Sequence, residues 1–383
     1  MGSPIISIIT PSYNQAHYLE ETILSVISQE GDFHIDYLIM DGGSSDNSAE
    51  IIKHYFQLIN SGEFTHKCGG VSLSWVSEKD RGQSDAINKG ITRARGEMIA
   101  YINSDDCFSP GAFAKVVRFF QSHPESDLVF GDGDVIDERG EVSWEWLSRP
   151  YRRSVMLSYH FLWNDFSNYI MQQSTFWRRR VLDRIGLFDE SFHYAMDAEY
   201  WIRAGEAGLT LSHLPEKLGR FRLIRGTKSL SSPTVFWEDY MEIFRKYKKN
   251  RGLTKYLAFY YFNVALCLDL DIERTFESDH RLMERWSSLG DAARKSLRRQ
   301  SERGKLICRL MIGNEYRKKN DPANAAKQIY GALKADPLIL FHPFAVFNVL
   351  KYFLSLAVGP RVDRWQSGIV SWYRRTKYDY RYH

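Results

Sequence analysis

Short apolar runs alternate with stretches of helical spacing through the N-terminal half of the chain. Residues 5–10 form a β-branched run between Pro4 and Pro11, which predicts a buried strand. Residues 18–29 set Leu19, Ile23, Val26 and Ile27 on one face, the mark of an amphipathic helix. Residues 35–40 are a second apolar run, followed by a predicted helix at 48–56 with Asp46 or Ser48 as its N-cap. A third strand is predicted at 73–77, a helix at 85–94 and a fourth strand at 97–102. Further short strands fall at 128–130 and 135–137, a strand and then a helix at 174–188, and a helix at 195–207, whereas 144–169 is aromatic and irregular. Strands alternating with helices predict an α/β fold, a mostly parallel Rossmann-like sheet flanked by helices.

The pattern changes near Pro233. Strand signals vanish, and the remainder is helical, aromatic and basic, with Arg245-Lys246-Tyr247-Lys248-Lys249 as one basic run. Two domains are therefore expected, 1–232 and 233–383, the second a helical C-terminal region that associates with a membrane or a partner. Residues 323–337 have the flavour of one helix of a tetratricopeptide-type pair. Residues 338–358 are apolar but interrupted by His342, Pro343, Asn348 and Lys351, so they read as a buried or interfacial segment and not a span. The N-terminus shows no signal-peptide pattern. A net charge of only +4 argues against nucleic acid as a partner. Cys68, Cys107, Cys267 and Cys308 are scattered with no CxxC pair, which suggests neither a zinc site nor a disulfide framework and fits a reducing, cytoplasmic setting.

Candidate chemistry clusters where predicted strands end, which is where open α/β sheets bind ligands. Pro11-Ser12-Tyr13-Asn14 follows the first strand and can offer an aromatic face to a planar base. Asp41-Gly42-Gly43-Ser44-Ser45-Asp46 follows the second, its glycines permitting close backbone approach. Glu78-Lys79-Asp80-Arg81-Gly82-Gln83-Ser84-Asp85 follows the third. Asn103-Ser104-Asp105-Asp106 follows the fourth, and adjacent carboxylates repel unless a cation lies between them. A divalent metal holding a diphosphate meets that need. Asp197 stands with Glu199 and Trp201 on a short helix, where a carboxylate can act as a general base. Singly, each cluster also reads as a capped turn or a solvated face.

Together and in this order, the five blocks resemble the family 2 inverting glycosyltransferases of GT-A fold, over about residues 4–230. The resemblance implies that Pro11, Tyr13 and Asp41 line a nucleobase pocket. Asp80, with Arg81 and Gly82, would approach the base or ribose. Asn103-Ser104-Asp105 stands where the family has its Asp-x-Asp, so Asp105, with Asp106 close by, would bind Mn²⁺ or Mg²⁺. Asp197 matches the family's general base. The chain departs from the family twice. Asn103 replaces the first acid, which favours a ribose contact over a metal bond. Ile224 stands where many relatives have a metal-ligating histidine, leaving Arg222 and Arg225 as diphosphate partners.

The implied reaction is displacement at the anomeric carbon of a nucleotide-sugar donor, with inversion. A UDP-sugar is favoured, with dTDP- and GDP-sugars as alternatives. The acceptor is a hydroxyl of a glycan or lipid-linked glycan, in bacterial surface polysaccharide assembly. The 144–169 segment, Trp163 within it, and Gln172-Gln173-Ser174 are expected to border the acceptor. The basic, aromatic C-terminal helices suggest peripheral contact with the inner face of the cell membrane. Three other readings compete. A nucleotidyltransferase would carry a Gly-rich, basic loop after the first strand, which PSYNQAHYLEE lacks. A catalytically weak nucleotide-sugar-binding scaffold sits poorly with the retention of Asp105, Asp106 and Asp197. A dinucleotide-dependent oxidoreductase is disfavoured because no GxGxxG follows the first strand.

Overall fold

The computed structural model describes residues 3–157, 169–223, 233–248 and 253–358. The chain divides into two compact units, with the boundary between Ser232 and Pro233.

The N-terminal unit is built on one nine-stranded sheet ordered β3-β2-β1-β4-β8-β6-β9-β5, with β7 paired to β6. Its first half is the predicted alternation. β1 (Ile5–Ser12), α1 (Ala16–Ile27), β2 (Gly31–Asp41), α2 (Ser48–Ser61), β3 (Cys68–Ser77), α3 (Gln83–Arg93) and β4 (Met98–Tyr101) follow in order. β1 lies between β2 and β4, and β2 pairs with β3, all parallel. β1 is buried on both faces after Ile5, which is why it reads as an unbroken apolar run. α1 packs Leu19, Ile23, Val26 and Ile27 into the core, the face its spacing predicts. Asp46 accepts from the N–H and the hydroxyl of Ser48 at the start of α2.

The second half was less visible in sequence. β5 (Cys107–Phe108) leads into α4 (Ala112–Ser122), which buries Phe113, Val116, Val117 and Phe120 against the sheet. β6 (Leu128–Ile136) pairs antiparallel with β7 (Val142–Trp146), so the start of the stretch expected to be irregular is a strand. α5 (Arg153–Met156) is a single turn. β8 (Thr175–Arg178) joins the two halves of the sheet, antiparallel to both β4 and β6. α6 (Arg180–Ile185) and α7 (Met196–Glu206) follow. β9 (Leu211–Arg222) runs parallel to β6 and antiparallel to β5. Pro215 interrupts its pattern and its register shifts near Gly131, so no clean alternation announces it.

The C-terminal unit contains α8 (Pro233–Lys248), α9 (Leu253–Cys267), α10 (Ile272–Arg285), α11 (Asp291–Lys318), α12 (Pro322–Ala335) and α13 (Pro343–Val358). α9 is apolar nearly all round, with Leu257, Phe259, Tyr260 and Tyr261 buried. α11 and α12 form a helical hairpin. Gly313 gives them close approach, since a Cβ there would lie 2.8 Å from Ile329. Buried Asp239 is paired with Arg285 at 2.8 Å. Among the described residues, no helix is long and apolar enough to cross a membrane.

Candidate active site

β1 to β4 end at one edge of the parallel sheet, and the four polar loops gather there. Asn14, at φ 52°, ties the first two loops together. Its N–H donates to Ser44 Oγ at 2.8 Å, and its Oδ1 accepts the Ser45 N–H at 2.8 Å. Asp41 is buried at the tip of β2 and accepts the N–H groups of Gly43 and Ser44 and the hydroxyls of Ser44 and Ser77. Its main visible work is to shape the loop. Pro11 is buried within β1, and Tyr13 is exposed beyond it. A Cβ on Gly42 would lie 2.6 Å from Asp80 Oδ2 and 3.4 Å from the Tyr13 ring. Tyr13, Gly42 and Asp80 therefore converge on one shallow, ring-walled spot, and the missing side chain at 42 leaves it open.

Asp80 Oδ1 accepts the Gly82 N–H at 2.8 Å. Gly82 takes φ 121° as it enters α3, a conformation that favours glycine. Arg81 is committed elsewhere. Its guanidinium pairs with Asp85 and with Glu190, each at 2.8 Å. It therefore braces α3 against the loop that precedes α7. Asn88 reinforces this brace, giving Nδ2–H to the Phe188 carbonyl and taking the Phe188 N–H, both at 2.9 Å. Ser84, one turn earlier on α3, faces Phe192 and Met196.

The two adjacent acids have unlike surroundings. Asp106 is 1% exposed and accepts three N–H groups, from Gln173 Nε2 at 2.7 Å, Asn103 Nδ2 at 3.0 Å and the Arg222 backbone at 2.8 Å. This sets Asp106 as a post joining three segments. Burial pushes its carboxyl well above the usual range, and neighbouring Asp105 adds to the rise. Asp105 is half-buried, and among the described residues no other residue donates to its carboxylate. Burial raises it as well, with Arg222 opposing. Buried Ser104 lies between the strand end and this acid. Asn103 uses both ends of its amide within the protein, accepting from Gln83 at 2.5 Å while donating to Asp106.

Arg222 departs furthest from expectation. It is 1% exposed at the end of β9. Its guanidinium donates to the Asp105 carbonyl at 2.9 Å, the Asp137 carbonyl at 2.9 Å and the Glu21 carboxylate, and lies 4.7 Å over the Tyr18 ring. These contacts occupy it as an internal strut and leave no free fork for a diphosphate. Ile224, Arg225 and Trp163 lie outside the described residues. Gln172 and Gln173 are also inward-facing. Gln172 donates to the Tyr101 carbonyl at 2.7 Å and Gln173 to Asp106, so they support the acid loop.

Asp197 sits in the first turn of α7, half-buried, with Oδ1 accepting the Ala198 N–H at 2.7 Å. Tyr101, at the tip of β4, is buried. Burial raises its hydroxyl pKa far above normal, and the charges of Asp197 and Asp106 raise it further. Asp197 and the 103–106 loop thus share the Tyr101 neighbourhood, although Asp197 comes from far along the chain. The supports Asn88, Glu190, Gln173 and Glu21 were not anticipated. For Asn88 a signal existed, since Ser84, Asn88 and Ile91 follow helical spacing and all face inward.

A sheet with a parallel half whose polar loops gather at the strand tips is the arrangement of a GT-A fold. Residues 7–186, most of the N-terminal unit, match the family described as Glycosyl transferase family 2. An uncharacterized glycosyltransferase of Methanocaldococcus jannaschii is 24% identical over 224 residues, covering 58% of this chain and 72% of that protein. A PGL/p-HBAD biosynthesis glycosyltransferase of Mycobacterium bovis is 26% identical over 213 residues, covering 53% of this chain and 70% of its own length. Among solved structures, residues 1–349 of S. aureus TarS in complex with UDP-GlcNAc align with a TM-score of 0.54 at 16% identity, over 86% of this chain and 90% of that one. This last likeness supports the fold. The chain is thus a transferase enzyme that moves sugar from a nucleotide-sugar donor.

Proposed function

We propose that this enzyme transfers a sugar with inversion from a nucleoside diphosphate donor to a hydroxyl of a glycan or lipid-linked glycan, in cytoplasmic assembly of a surface polysaccharide. The observation that carries it is that Asp106 of the acid loop and the sequence-distant Asp197 both lie near enough to Tyr101 to raise its hydroxyl pKa. Asp105 has a carboxylate that no other described residue occupies, and Asp197 is held at a helix start. Tyr13, Gly42 and Asp80 form the nucleoside side, and a UDP-sugar is favoured. The fold-similar TarS complex holds UDP-GlcNAc.

The residues fit a divalent metal through one carboxylate. Among the described residues, no cluster of three His, Cys, Asp or Glu could hold an ion by itself. Asp105 would be its protein ligand, with donor oxygens and water making up the rest. Such an ion supplies charge stabilisation to the departing diphosphate. Asp197 takes the proton from the acceptor hydroxyl as that oxygen attacks. Asp80 and Tyr13 hold the nucleoside in place while the sugar leaves.

The test is a donor screen. The purified chain is incubated with UDP-, GDP- and dTDP-sugars plus Mn²⁺, and release of nucleoside diphosphate is followed with and without candidate acceptors. Asp197→Asn is expected to lower transfer by about 10²- to 10⁴-fold while leaving donor binding unchanged. Near-normal turnover in that variant refutes the base assignment.

A further inference from the structure

The last two described helices of the C-terminal unit are built inside out on one side. Along α13, Ala345, Asn348, Val349 and Tyr352 are buried, and its outer face carries Leu350 and Leu354, each more than half exposed. A surface helix ordinarily turns polar residues outward. Just before it, Leu338 is 62% exposed and Phe341 85% exposed. The Phe353 ring meets Tyr330 of α12 edge-on, with centroids 6.5 Å apart, so the apolar face continues onto α12. There Lys327, Tyr330 and Lys334 are all exposed, at i, i+3 and i+7 along one side. An apolar patch of this kind, rimmed by cations, marks an interaction surface.

Charge decides the partner. Residues 337–383 hold seven Lys and Arg against two Asp and no Glu. This stretch alone therefore exceeds the whole chain's net charge of +4. The same stretch contains Trp365, Trp372 and five tyrosines. Apolar bulk, Trp and Tyr, and an excess of cations is the chemistry of the boundary between lipid headgroups and acyl chains. A second copy of this chain would bring like charge against like charge. We infer that the face formed by Leu338, Phe341, Leu350 and Leu354, flanked by Lys327 and Lys334, seats the protein on an anionic lipid surface. It lies in the surface plane, as an interfacial helix does, and does not span it.

The full chain is tested by co-sedimentation with vesicles of pure phosphatidylcholine and vesicles containing about one third phosphatidylglycerol. Binding is expected to the anionic vesicles, and to weaken as salt is raised. Combining Phe341→Gln, Leu350→Gln and Leu354→Gln should weaken partitioning about tenfold or more. Lys327→Gln with Lys334→Gln should reduce only the preference for anionic over neutral lipid. Donor hydrolysis in both variants should match the parent, and helical circular dichroism with thermal unfolding reports that the C-terminal unit is folded. Equal or absent binding to both vesicle types by the parent overturns the inference. So does a triple variant that is folded and binds as the parent does. A parent dimer in light scattering that the triple variant dissolves, without vesicle binding, assigns the face to a second copy instead. Should the triple variant fail to fold, the parent's comparison of the two vesicle types decides.

Discussion

Replacing Arg222 by Met separates an internal strut from a substrate-binding arginine. Met keeps most of the apolar stem but removes every guanidinium donor. The carbonyls of Asp105 and Asp137 then lose their partners in a site 1% exposed, and Glu21 loses its cation. Breaking a buried ion pair typically costs about 3–5 kcal/mol. Glu21 is about half exposed and can return to water, which places the loss at the lower end, about 3 kcal/mol. For a unit of this size, each kcal/mol moves the melting temperature by about 2–4 °C. A fall of about 6–12 °C is expected in the N-terminal unit's transition, followed by circular dichroism. Activity at low temperature should fall because the Asp105 carbonyl is no longer held, yet the donor KM should change little. An unmoved melting temperature with a donor KM raised tenfold or more would refute the strut and restore Arg222 as a diphosphate ligand.

Asp105→Asn and Asp106→Asn should part company. The first is expected to change stability by less than about 0.5 kcal/mol and to abolish metal-dependent donor hydrolysis. The second turns an acceptor of three N–H groups partly into a donor and should cost about 2 kcal/mol, read by urea unfolding. Gly42→Ala would set a methyl 2.6 Å from Asp80 Oδ2, and is expected to raise the donor KM severalfold with little change in acceptor KM, checked by steady-state kinetics. Cys107 is buried with its thiol pushed up to about 12, and Cys308 is fully buried, so peptide mapping after thiol labelling at pH 8 should find both unmodified in the native protein and reactive in urea.

The parallel half of the sheet and its four loops were legible because each strand is a buried apolar run that stops abruptly at polar residues. β9 was not, since Pro215 and its half-exposed faces erase the alternation. α4 had the spacing to be found, with Phe113, Val116, Val117 and Phe120 at helical intervals. The harder lesson concerns the acids. Asp105 and Asp106 are neighbours of one residue type, and nothing local distinguishes them. What does so is Gln173, 67 residues on, and the backbone of Arg222, 116 residues on. Arg222 likewise looked suited to an anion, and its partners Glu21 and Tyr18 lie near the other end of the unit. Residue types announce which chemistry a loop can hold, but distant contacts decide which atoms stay available for it.

Asn88 holds the segment before Asp197 chiefly by its main chain, taking the N–H and carbonyl of residue 188, and also reaches the Glu190 carboxylate at 3.3 Å. Such a grip is indifferent to the side chain at that position and, Glu190 apart, to the composition of the loop beyond it. The grip on residue 188 can therefore survive changes of side chain there, provided α3 keeps its amide and Glu190 its carboxylate. Transplanting that loop between related enzymes should succeed when Asn88 is present in the recipient and should displace Asp197 when it is not. The fold thus separates a fixed hinge point from an exchangeable insert, an arrangement suited to diversifying acceptors on an unchanged donor platform.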